Sequence, residues 1–526
     1  MAIWQGDGRT ATVKAIEERC MQNGITNTLE KVKEKAKDGV TTLLTAFYFH
    51  DAGIQGIERT FEFTHKSFGE FFAARKIVGQ LIQTVKATQQ HKEDQTGWSH
   101  EAALEKWIVM CGNTPIDGYI YNFLVNEVRR YDKQEVKCWQ DMLCDFIGYI
   151  LQNGMPYDKI SHINFHEKLR HSRNSEEVLL AALSACAKYT GDVSKIKWPN
   201  VNAAGEWIAK LCGQGYGATQ YLNHLDFSNC KLRGVFLYGA NLEYSCLNGC
   251  SLDYSVMAYS NLYCAKLENT LFYRSDLSGA NLNGVHFDNK EPVFFETKLN
   301  DVESGDAWVY AARGRYYHRD ENYLKAVKDY SKAIELDPDN AEYHNSRGIT
   351  YQWMKEYKKA IEDTSKAIEL DPDNTSYYVR KAFSLHMAGK TNLALEQLKI
   401  AYELGVNDEL YYRTLGIIRL KVAKKSCVSC DSELLDLFTQ AVGLSKLSDS
   451  TFEKSITYMR RAEYYLYVGE LDKALPDLNQ SIDFNEQNEY AWYYLSKYYE
   501  LVGDISESER CLRKAEEQGY IPEDGD

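Results

Sequence analysis

The sequence predicts a multidomain α+β chain in which three architectures follow one another. Before residue 220, helical patterns accompany two strand-like segments; up to residue 287, large apolar residues recur every five positions; from residue 307 the repeat length is 34. A chain of 526 residues is too long for one core, so three or four domains are expected. We place the domains at 1–90, 91–219, 220–302 and 303–526.

Composition and charge narrow the classes of function. The 44% hydrophobic and 26% charged content is typical of a globular protein. No apolar run approaches the roughly 20 residues that a membrane helix needs, and the first residues lack a signal-peptide core. The 13 cysteines are scattered without paired spacing, which indicates reduced thiols and a cytoplasmic location. A net charge of −14 with no basic half argues against a nucleic-acid partner.

The first domain has the pattern of a winged helix. Residues 12–22 and 29–37 have helical spacing, whereas 40–50 and 57–64 are rich in β-branched and aromatic residues and predict a hairpin. A helix with an apolar side is expected after residue 64, so the order is helix, helix, hairpin, helix.

Residues 63–75 read Phe-x-His-Lys-Ser-Phe-x-Glu-Phe-Phe-Ala-Ala-Arg. This motif resembles the end of the NACHT module of STAND-class signalling NTPases. The resemblance implies a winged-helix subdomain that closes over nucleotide, with His65 able to reach the diphosphate. The sequence has no G-x-x-x-x-G-K-[ST] run to cradle phosphates, so the NTPase core is absent. The other interpretation of His65 is a strand-end histidine that packs the wing.

Residues 91–219 predict helices separated by Gly, Asn or Pro. They resemble the helical connector that follows the winged helix in NACHT proteins, and we expect them to cap the first coil of the next domain. His162, His166 and His171 do not have the spacing of a zinc motif, and no third ligand is indicated. We therefore predict no metal and no cofactor.

Residues 220–302 have a five-residue period. Large apolar residues such as Leu242, Leu247 and Leu262 repeat, and a small residue stands two positions before most of them. This period fits neither a helix nor a strand; it needs a coil that turns a corner every five residues. The runs Gly-Ala-Asn-Leu-Glu at 239–243 and Gly-Ala-Asn-Leu-Asn at 279–283 resemble those of pentapeptide-repeat proteins. The resemblance implies a right-handed quadrilateral β-helix of three to four coils, with caps at its ends.

Residues 303–526 repeat every 34 positions. Gly314, Gly348, Ala382 and Gly416 mark one position, and the octapeptides at 333–340 and 367–374 are identical. These are identified as tetratricopeptide repeats, about six in number. The family implies an all-α superhelix with a concave groove. Cys427 and Cys430 form an isolated C-x-x-C in a stretched loop, for which an exposed loop is favoured over zinc.

The tetratricopeptide resemblance also predicts a peptide-binding groove. In this family, fixed positions of each first helix line the concave face. With Arg413 from further along the array, the predicted groove residues are Trp308, Arg315, His318, Arg319, Asn345, Ile349, Gln352, Trp353, Phe383, His386 and Arg413. Aromatic and arginine side chains suit a peptide anchor; the alternative is that the aromatics pack neighbouring repeats.

Three functions follow from these patterns. The favoured one is a non-catalytic interaction scaffold, the sensor half of a STAND-like signalling or defence protein, with a protein or peptide ligand and a NACHT NTPase module as partners. The second is a DNA mimic acting on a topoisomerase, which residues 220–290 suit poorly because they hold six acidic and five basic residues. The third is an enzyme, for which no nucleophile, metal-ligand or cofactor motif is present. A relict fragment without independent function is a further alternative.

Overall fold

The computed structural model describes residues 10–12, 49–55, 58–63, 66–113, 115–159, 164–212, 217–288, 290–426, 432–448 and 450–521. These residues form two compact units, Met1–Ala312 and Arg313–Asp526, which are described separately. Several residues singled out in the sequence lie outside the described ranges: His65, His162, Cys427 and Cys430.

A small sheet stands near the start of the first unit. Its strands are β1 (Thr10–Thr12), β2 (Phe49–Gln55) and β3 (Glu58–Phe63), and the order is β1-β3-β2 with both pairings antiparallel. β3 falls within the second predicted strand, and β2 overlaps the end of the first. The two predicted helices before them lie mainly outside the described residues.

Six helices follow the sheet. They are α1 (Lys66–Asp94), α2 (His100–Cys111), α3 (Gly118–Val128), α4 (Lys133–Asn153), α5 (Phe165–Thr190) and α6 (Ala203–Cys212). Side-chain caps define the starts of α2, α3, α4 and α5, for example the reciprocal capping box between Asn164 and Glu167 at α5. Their core contains the fully buried rings of Trp107, Trp139 and Phe146.

The buried carboxylate of Glu176 ties α5 to α6. It accepts hydrogen bonds from the Lys210 ammonium at 2.6 Å and the Trp207 indole at 3.0 Å, and a third from Ser172 at 3.0 Å. A buried charge is tolerated when it is paired and hydrogen-bonded in this way. The contact fixes α6 at the place where the chain enters the five-residue repeats.

Residues 222–303, here called the pentapeptide coil, wind with 20 residues per coil. Each coil pairs with the next through single parallel bridges, such as Cys246 with Lys266 and Ser251 with Leu271. The repeating apolar side chains fill the interior; Leu247 and Leu262 are completely buried. Near residue 289 the offset between paired residues becomes 22, as between Leu271 and Val293, and the coil then continues to Glu303.

The predicted fold class is wrong in two respects. The quadrilateral β-helix is not seen, because no run within the described part of the coil is a β-strand; paired residues are isolated and turns separate them. The α+β balance is also incorrect, since helices dominate the described residues. The physical reason is the corner: after each buried apolar residue the chain enters a turn, so only one residue in five forms a bridge and no continuous strand develops.

The corner requires left-handed backbone two residues after most of the buried apolar positions. Tyr244, Tyr254 and Tyr259 have φ of 56°, 58° and 59° there, and glycines occupy the same position elsewhere, as at Gly249. Positive φ is costly for a residue with a side chain, and typical of the third residue of a type II turn. Hydrogen bonds between coils, such as Leu247 N–H to the Lys266 carbonyl at 2.8 Å, hold these residues in place.

Both ends of the coil are covered by aromatic or helical structure. At the first coil, the Trp198 indole stacks on Phe227 with ring centres 5.7 Å apart and donates to the Asp226 carbonyl at 2.9 Å. Gly205 of α6 lies so close to this coil that a Cβ there would be 2.9 Å from the Lys231 carbonyl oxygen. The buried apolar interior is thereby shielded from water.

Twelve helices make up the rest of the described chain. They are α7 (Ala307–Arg319), α8 (Tyr323–Leu336), α9 (Ala341–Trp353), α10 (Tyr357–Leu370), α11 (Thr375–Met387), α12 (Thr391–Glu403), α13 (Glu409–Ser426), α14 (Ser432–Ser445), α15 (Thr451–Val468), α16 (Leu471–Phe484), α17 (Glu489–Val502) and α18 (Ile505–Glu517). α7 begins in the first unit and ends in the second. The small residues that mark the 34-residue period, such as Ala360, Ala394 and Ala401, are completely buried. They allow the paired helices to approach closely.

One ion pair recurs inside the helix pairs. Arg347 of α9 donates two hydrogen bonds to Asp363 of α10, at 2.8 and 2.7 Å. The same bidentate contact joins Arg313 to Asp329, and again Arg461 to Asp477. The partners are always 16 residues apart, and the carboxylates are buried. Bidentate arginine–carboxylate pairs are geometrically specific, so each one fixes the orientation within its hairpin.

Candidate functional site

The candidate site is the inner surface of the tetratricopeptide unit, where the predicted groove residues are carried by the first helix of each pair. The structure divides these residues into four groups. One packs on the pentapeptide coil, some bridge successive helix pairs, some are held by contacts within a helix or helix pair, and the rest are exposed or half-buried.

Trp308 belongs to the first group. Its ring lies parallel to Phe294 with centres 5.9 Å apart and meets Phe287 edge-on at 5.3 Å. Both partners lie at the end of the pentapeptide coil, within the same compact unit as Trp308. The tryptophan therefore covers the last coil, in keeping with the packing alternative for the groove aromatics.

His318 and Gln352 bridge successive helix pairs. The His318 ring nitrogen Nδ1 lies 3.1 Å from the Thr350 hydroxyl, and the Gln352 amide donates to the Ser384 hydroxyl at 2.7 Å. The two contacts are equivalent: each joins residues 32 positions apart, and the second lies one 34-residue repeat after the first. Burial lowers the pKa of His318, and the nearby Arg380 lowers it further, so the ring is neutral at pH 7. These two side chains stabilise the array before any ligand binds.

Asn345 and His386 are also buried. The Asn345 amide donates to the Glu342 carboxylate at 3.4 Å, while its Oδ1 atom has no hydrogen-bond partner. His386 Nδ1 lies 3.3 Å from the Thr391 hydroxyl, and its Nε2 atom is unpartnered. Burial lowers the pKa of His386 to about 4, with Lys421 and Lys425 contributing.

The remaining predicted residues face solvent to different degrees. Arg315 and Arg319 are exposed, and neither has a carboxylate within ion-pair distance among the described residues. Trp353 is 48% exposed, whereas Ile349 and Phe383 are half-buried. These five side chains are therefore available to contact a ligand.

Trp353 contacts a helix that is far from it in the sequence. Its ring centre lies 5.9 Å from that of Phe452, which belongs to α15 although Trp353 belongs to α9. It also stacks on Tyr323 at 6.3 Å. Contact between helices so distant in sequence shows that the superhelix is tightly wound within this unit, and that its inner surface is a confined space.

Arg413 is already paired. It donates to Glu409 at 2.6 Å, and the Thr457 hydroxyl of α15 donates to the same carboxylate. The Glu409 carboxylate thus accepts from a guanidinium on its own helix α13 and from a hydroxyl on α15. The charge of Arg413 is therefore paired with that of Glu409, and both side chains are largely buried.

Arg380 is the functional candidate that the sequence analysis missed. It lies on α11, and its pKa is lowered first by burial and then by the positive charge of Arg413. Glu453, Glu409 and Asp408 act on it electrostatically, yet no described carboxylate reaches ion-pair distance. A confined arginine without a close carboxylate favours binding of an external anion.

A second charged cluster lies further along the array, where one buried carboxylate pairs with two cations. Glu463 accepts from Lys424 at 2.8 Å and from Arg460 at 2.7 Å. Burial raises the pKa of Glu463, but Arg460 and Lys424 outweigh that effect and hold it at about 2. Because Glu463 is shared by both cations, this cluster links its helices and offers no free carboxylate to a ligand.

No group of three or more His, Cys, Asp or Glu side chains in the described ranges is arranged to hold a metal ion. His166 lies at the start of α5, and His171 is packed beside Gly112. Across the helices that the structure describes, none is long and apolar enough to span a bilayer.

Comparison with known families identifies both kinds of repeat. The tetratricopeptide repeat model matches residues 341–374, a second TPR repeat model matches 314–355, and the model for pentapeptide repeats (8 copies) matches 221–257 and 250–289. The two repeat predictions are confirmed. No curated protein matches the chain significantly.

Solved structures resemble parts of the chain. A tetratricopeptide repeat protein from Parabacteroides merdae is 16% identical over 41% of this chain and 79% of its own, with a TM-score of 0.34. The APC/C hetero-tetramer Cut9–Hcn1 is 13% identical over 82% and 71%, at 0.38. The first TPR of Spaghetti (RPAP3), bound to the HSP90 peptide SRMEEVD, is 25% identical over 23% and 97%, at 0.22.

Proposed function

We propose that the chain is a protein–protein interaction scaffold whose tetratricopeptide unit captures an acidic peptide segment on its inner surface. The observation that carries this proposal is Arg380, a confined cation without a close carboxylate. An acidic side chain or a terminal carboxylate of a ligand supplies the missing partner. Arg315 and Arg319 add exposed positive charge on α7.

The aromatic and apolar side chains supply the rest of the contact. Trp353 offers an exposed ring, and Phe383 and Ile349 present partly buried surface. Tryptophan and arginine are the residue types that most often dominate binding energy, each typically contributing about 2 kcal/mol or more on truncation. The preferred ligand therefore combines a carboxylate with a large apolar side chain.

Affinity capture from lysate with the full chain, followed by titration of the recovered peptide, tests this function. We expect Arg380→Gln and Trp353→Ala each to weaken binding at least tenfold. Lys399→Ala is the matched control, since Lys399 is exposed on α12 and its ion pair in the described ranges is a long one, with Glu403 at 3.8 Å. A ligand retained equally by all four proteins would place the binding surface elsewhere. Rising salt should also weaken binding, because the recognition is partly ionic.

We further propose that this scaffold serves as the sensor half of a STAND-like signalling protein in the cytoplasm. The support is the motif at residues 63–75 together with the two repeat arrays. On this proposal the chain itself hydrolyses no nucleotide, and a NACHT NTPase module is a partner. ATP or GTP turnover by the purified chain that is lost in His65→Ala would contradict it.

A further inference from the structure

The side of the pentapeptide coil centred on Leu252 and Phe272 exposes a row of apolar and aromatic side chains. We use the name aromatic face for Arg233, Tyr254, Leu271, Tyr273, Val293 and Phe295; the same side also presents Lys231, Ser251, Asp253, Arg274 and Glu296. Leu271, Val293 and Phe295 are 38%, 44% and 53% exposed. The next side, centred on Leu247, instead presents Lys266, Asn248 and Glu268. Contiguous exposed apolar surface on one side of a protein marks an interaction site.

The aromatic face is rigid and ordered along the coil axis. Tyr254 meets Tyr273 edge-on at 5.5 Å, and Tyr273 stacks on Phe295 at 5.3 Å with an angle of 4° between the rings. Parallel backbone pairing fixes the spacing between coils at about 4.8 Å. A surface that is already ordered loses little conformational entropy on association.

Charge is distributed unevenly along this face. At the first coil, Lys231 and Arg233 are exposed and have no ion pair among the described residues; the Arg233 guanidinium lies 4.9 Å from the centre of the Tyr254 ring. At the last coil, Glu296 stands beside Phe295 and pairs with Arg274. One end therefore carries cations that are unpaired within the described ranges, whereas the other end is aromatic and its carboxylate is paired with Arg274.

A cavity of about 680 Å³ opens at the cationic end, between α6 and the first coil. Its lining includes Ala209, Lys231, Arg233, Val235 and Phe236. The projecting feature at the opposite end of the face is Phe295. The face thus has a depression at one end and an exposed ring at the other.

We propose that two copies of this chain associate through the aromatic face in antiparallel orientation about a two-fold axis. A two-fold axis lying in the interface and perpendicular to the coil reverses the coil direction while each row of side chains meets its own copy. Arg233 then lies opposite Phe295 of the second copy, and Asp253 opposite Tyr273 of the second copy. Both are favourable contacts, one a cation on an aromatic ring and the other a hydroxyl donating to a carboxylate.

Charge selects this orientation over the parallel one. In a parallel pair each level of the coil would meet the same level of the second copy, so Lys231 and Arg233 of both copies would lie together. That arrangement brings four cations to one end, and like charges in a contact are costly. The antiparallel pair instead places each cationic end, with its cavity, against Phe295 and Glu296 of the other copy.

Sedimentation velocity of the full chain over a range of concentrations tests the proposal. We expect a reversible dimer whose Kd rises at least tenfold in Val293→Asp with Phe295→Asp. Tyr263→Asp is the matched control, because Tyr263 is 40% exposed on the opposite side of the coil and should leave the dimer intact. A chain that stays monomeric, or a dimer that the double variant does not weaken, would overturn the proposal.

Two further experiments control for misfolding and test the relative orientation of the two copies. Arg233→Glu changes only an exposed side chain and should also weaken the dimer at least tenfold, with an unchanged circular dichroism spectrum; a dimer of wild-type affinity would count against the interface. A benzophenone side chain at position 295 should crosslink to residues 231–236 of the second copy. Crosslinks confined to residues 293–298 would show a parallel pair and overturn the antiparallel assignment. None of these results depends on ligand capture by the tetratricopeptide unit.

Discussion

The pentapeptide coil and the tetratricopeptide unit both stack short repeats, but different atoms join the neighbouring repeats. In the coil, backbone groups do so: the Cys246 N–H donates to the Leu225 carbonyl at 2.9 Å, and the pattern continues coil after coil. In the tetratricopeptide unit, side chains such as His318 and Gln352 bridge the helix pairs. Backbone pairing leaves the outward side chains of the coil free, whereas helix packing consumes many inner-surface side chains of the array.

This difference explains where each region exposes binding chemistry. The coil can present an uninterrupted row such as Tyr254, Tyr273 and Phe295 because none of these side chains is needed to hold it together. The helical array keeps only a few free groups on its inner surface, among them Trp353 and Arg380. Four tests separate the two modes of stabilisation, in order of decreasing expected effect.

The largest effect is expected from a charge in the coil interior. Leu262 is completely buried, so Leu262→Asp places a carboxylate in a dry space where no partner is available. We expect a loss of at least about 4 kcal/mol and unfolding of the coil. Denaturant titration followed by circular dichroism measures it, with Tyr263→Asp at the adjacent exposed position as the control. Similar midpoints for the two variants would contradict the five-residue register.

A smaller and more local loss is expected from the repeated ion pair. Arg347→Met leaves the buried Asp363 carboxylate without its bidentate partner, which should cost about 3 kcal/mol. Because repeats contact mainly their neighbours, the loss should be confined to α9 and α10 and the adjoining pairs. Hydrogen exchange by mass spectrometry resolves this, with Lys366→Met as an exposed control. Uniform loss of protection throughout Arg313–Asp526 would argue against local stabilisation.

Acidification should affect both regions through buried histidines, of which His224 in the coil and His386 in the array have the most strongly lowered pKa. Burial lowers the pKa of His224 in the coil and of His386 in the array to about 4, from an ordinary value of 6.5. The folded state prefers the neutral ring, so the stability that each contributes is complete above about pH 6.5 and declines as the pH falls toward about 4.

His224→Gln should flatten this decline in the coil, and His386→Gln should flatten it in the array. Thermal melting between pH 7 and 4, combined with regional hydrogen exchange, measures both. A decline of the same steepness in either variant would assign the pH dependence to other groups.

The smallest effect is expected at the small position of the coil. The buried Ser275 hydroxyl donates to the Leu252 carbonyl at 2.7 Å, whereas Ala280, in the next repeat, occupies the equivalent position without such a bond. Ser275→Ala should therefore cost about 1 kcal/mol and leave the coil folded. Ser275→Leu is the informative contrast, since the space is closed. A tolerated leucine would show that this side chain does not point inward.

The sequence by itself determined the repeat lengths and the residues that repeat-to-repeat packing buries. Leu247 and Leu262 are buried because a fixed period carries each to the same inner position, and Ala360 and Ala394 because close helix approach excludes larger side chains. Local chain geometry sets both periods, and a pattern of local origin can be identified without the fold. The small sheet was indicated only in outline.

Only the tertiary structure decided which side chains remain free and how the coil pairs. In the folded chain Trp308 stacks on Phe294 and Arg413 pairs with Glu409, whereas Arg380 has no close carboxylate among the described residues. It also replaced the expected strands by single bridges between residues 20 apart. The physical reason is that hydrogen-bond partners are assigned by distance in space. Contacts such as that between Trp353 and Phe452 depend on how several helix pairs stack, which no single repeat encodes.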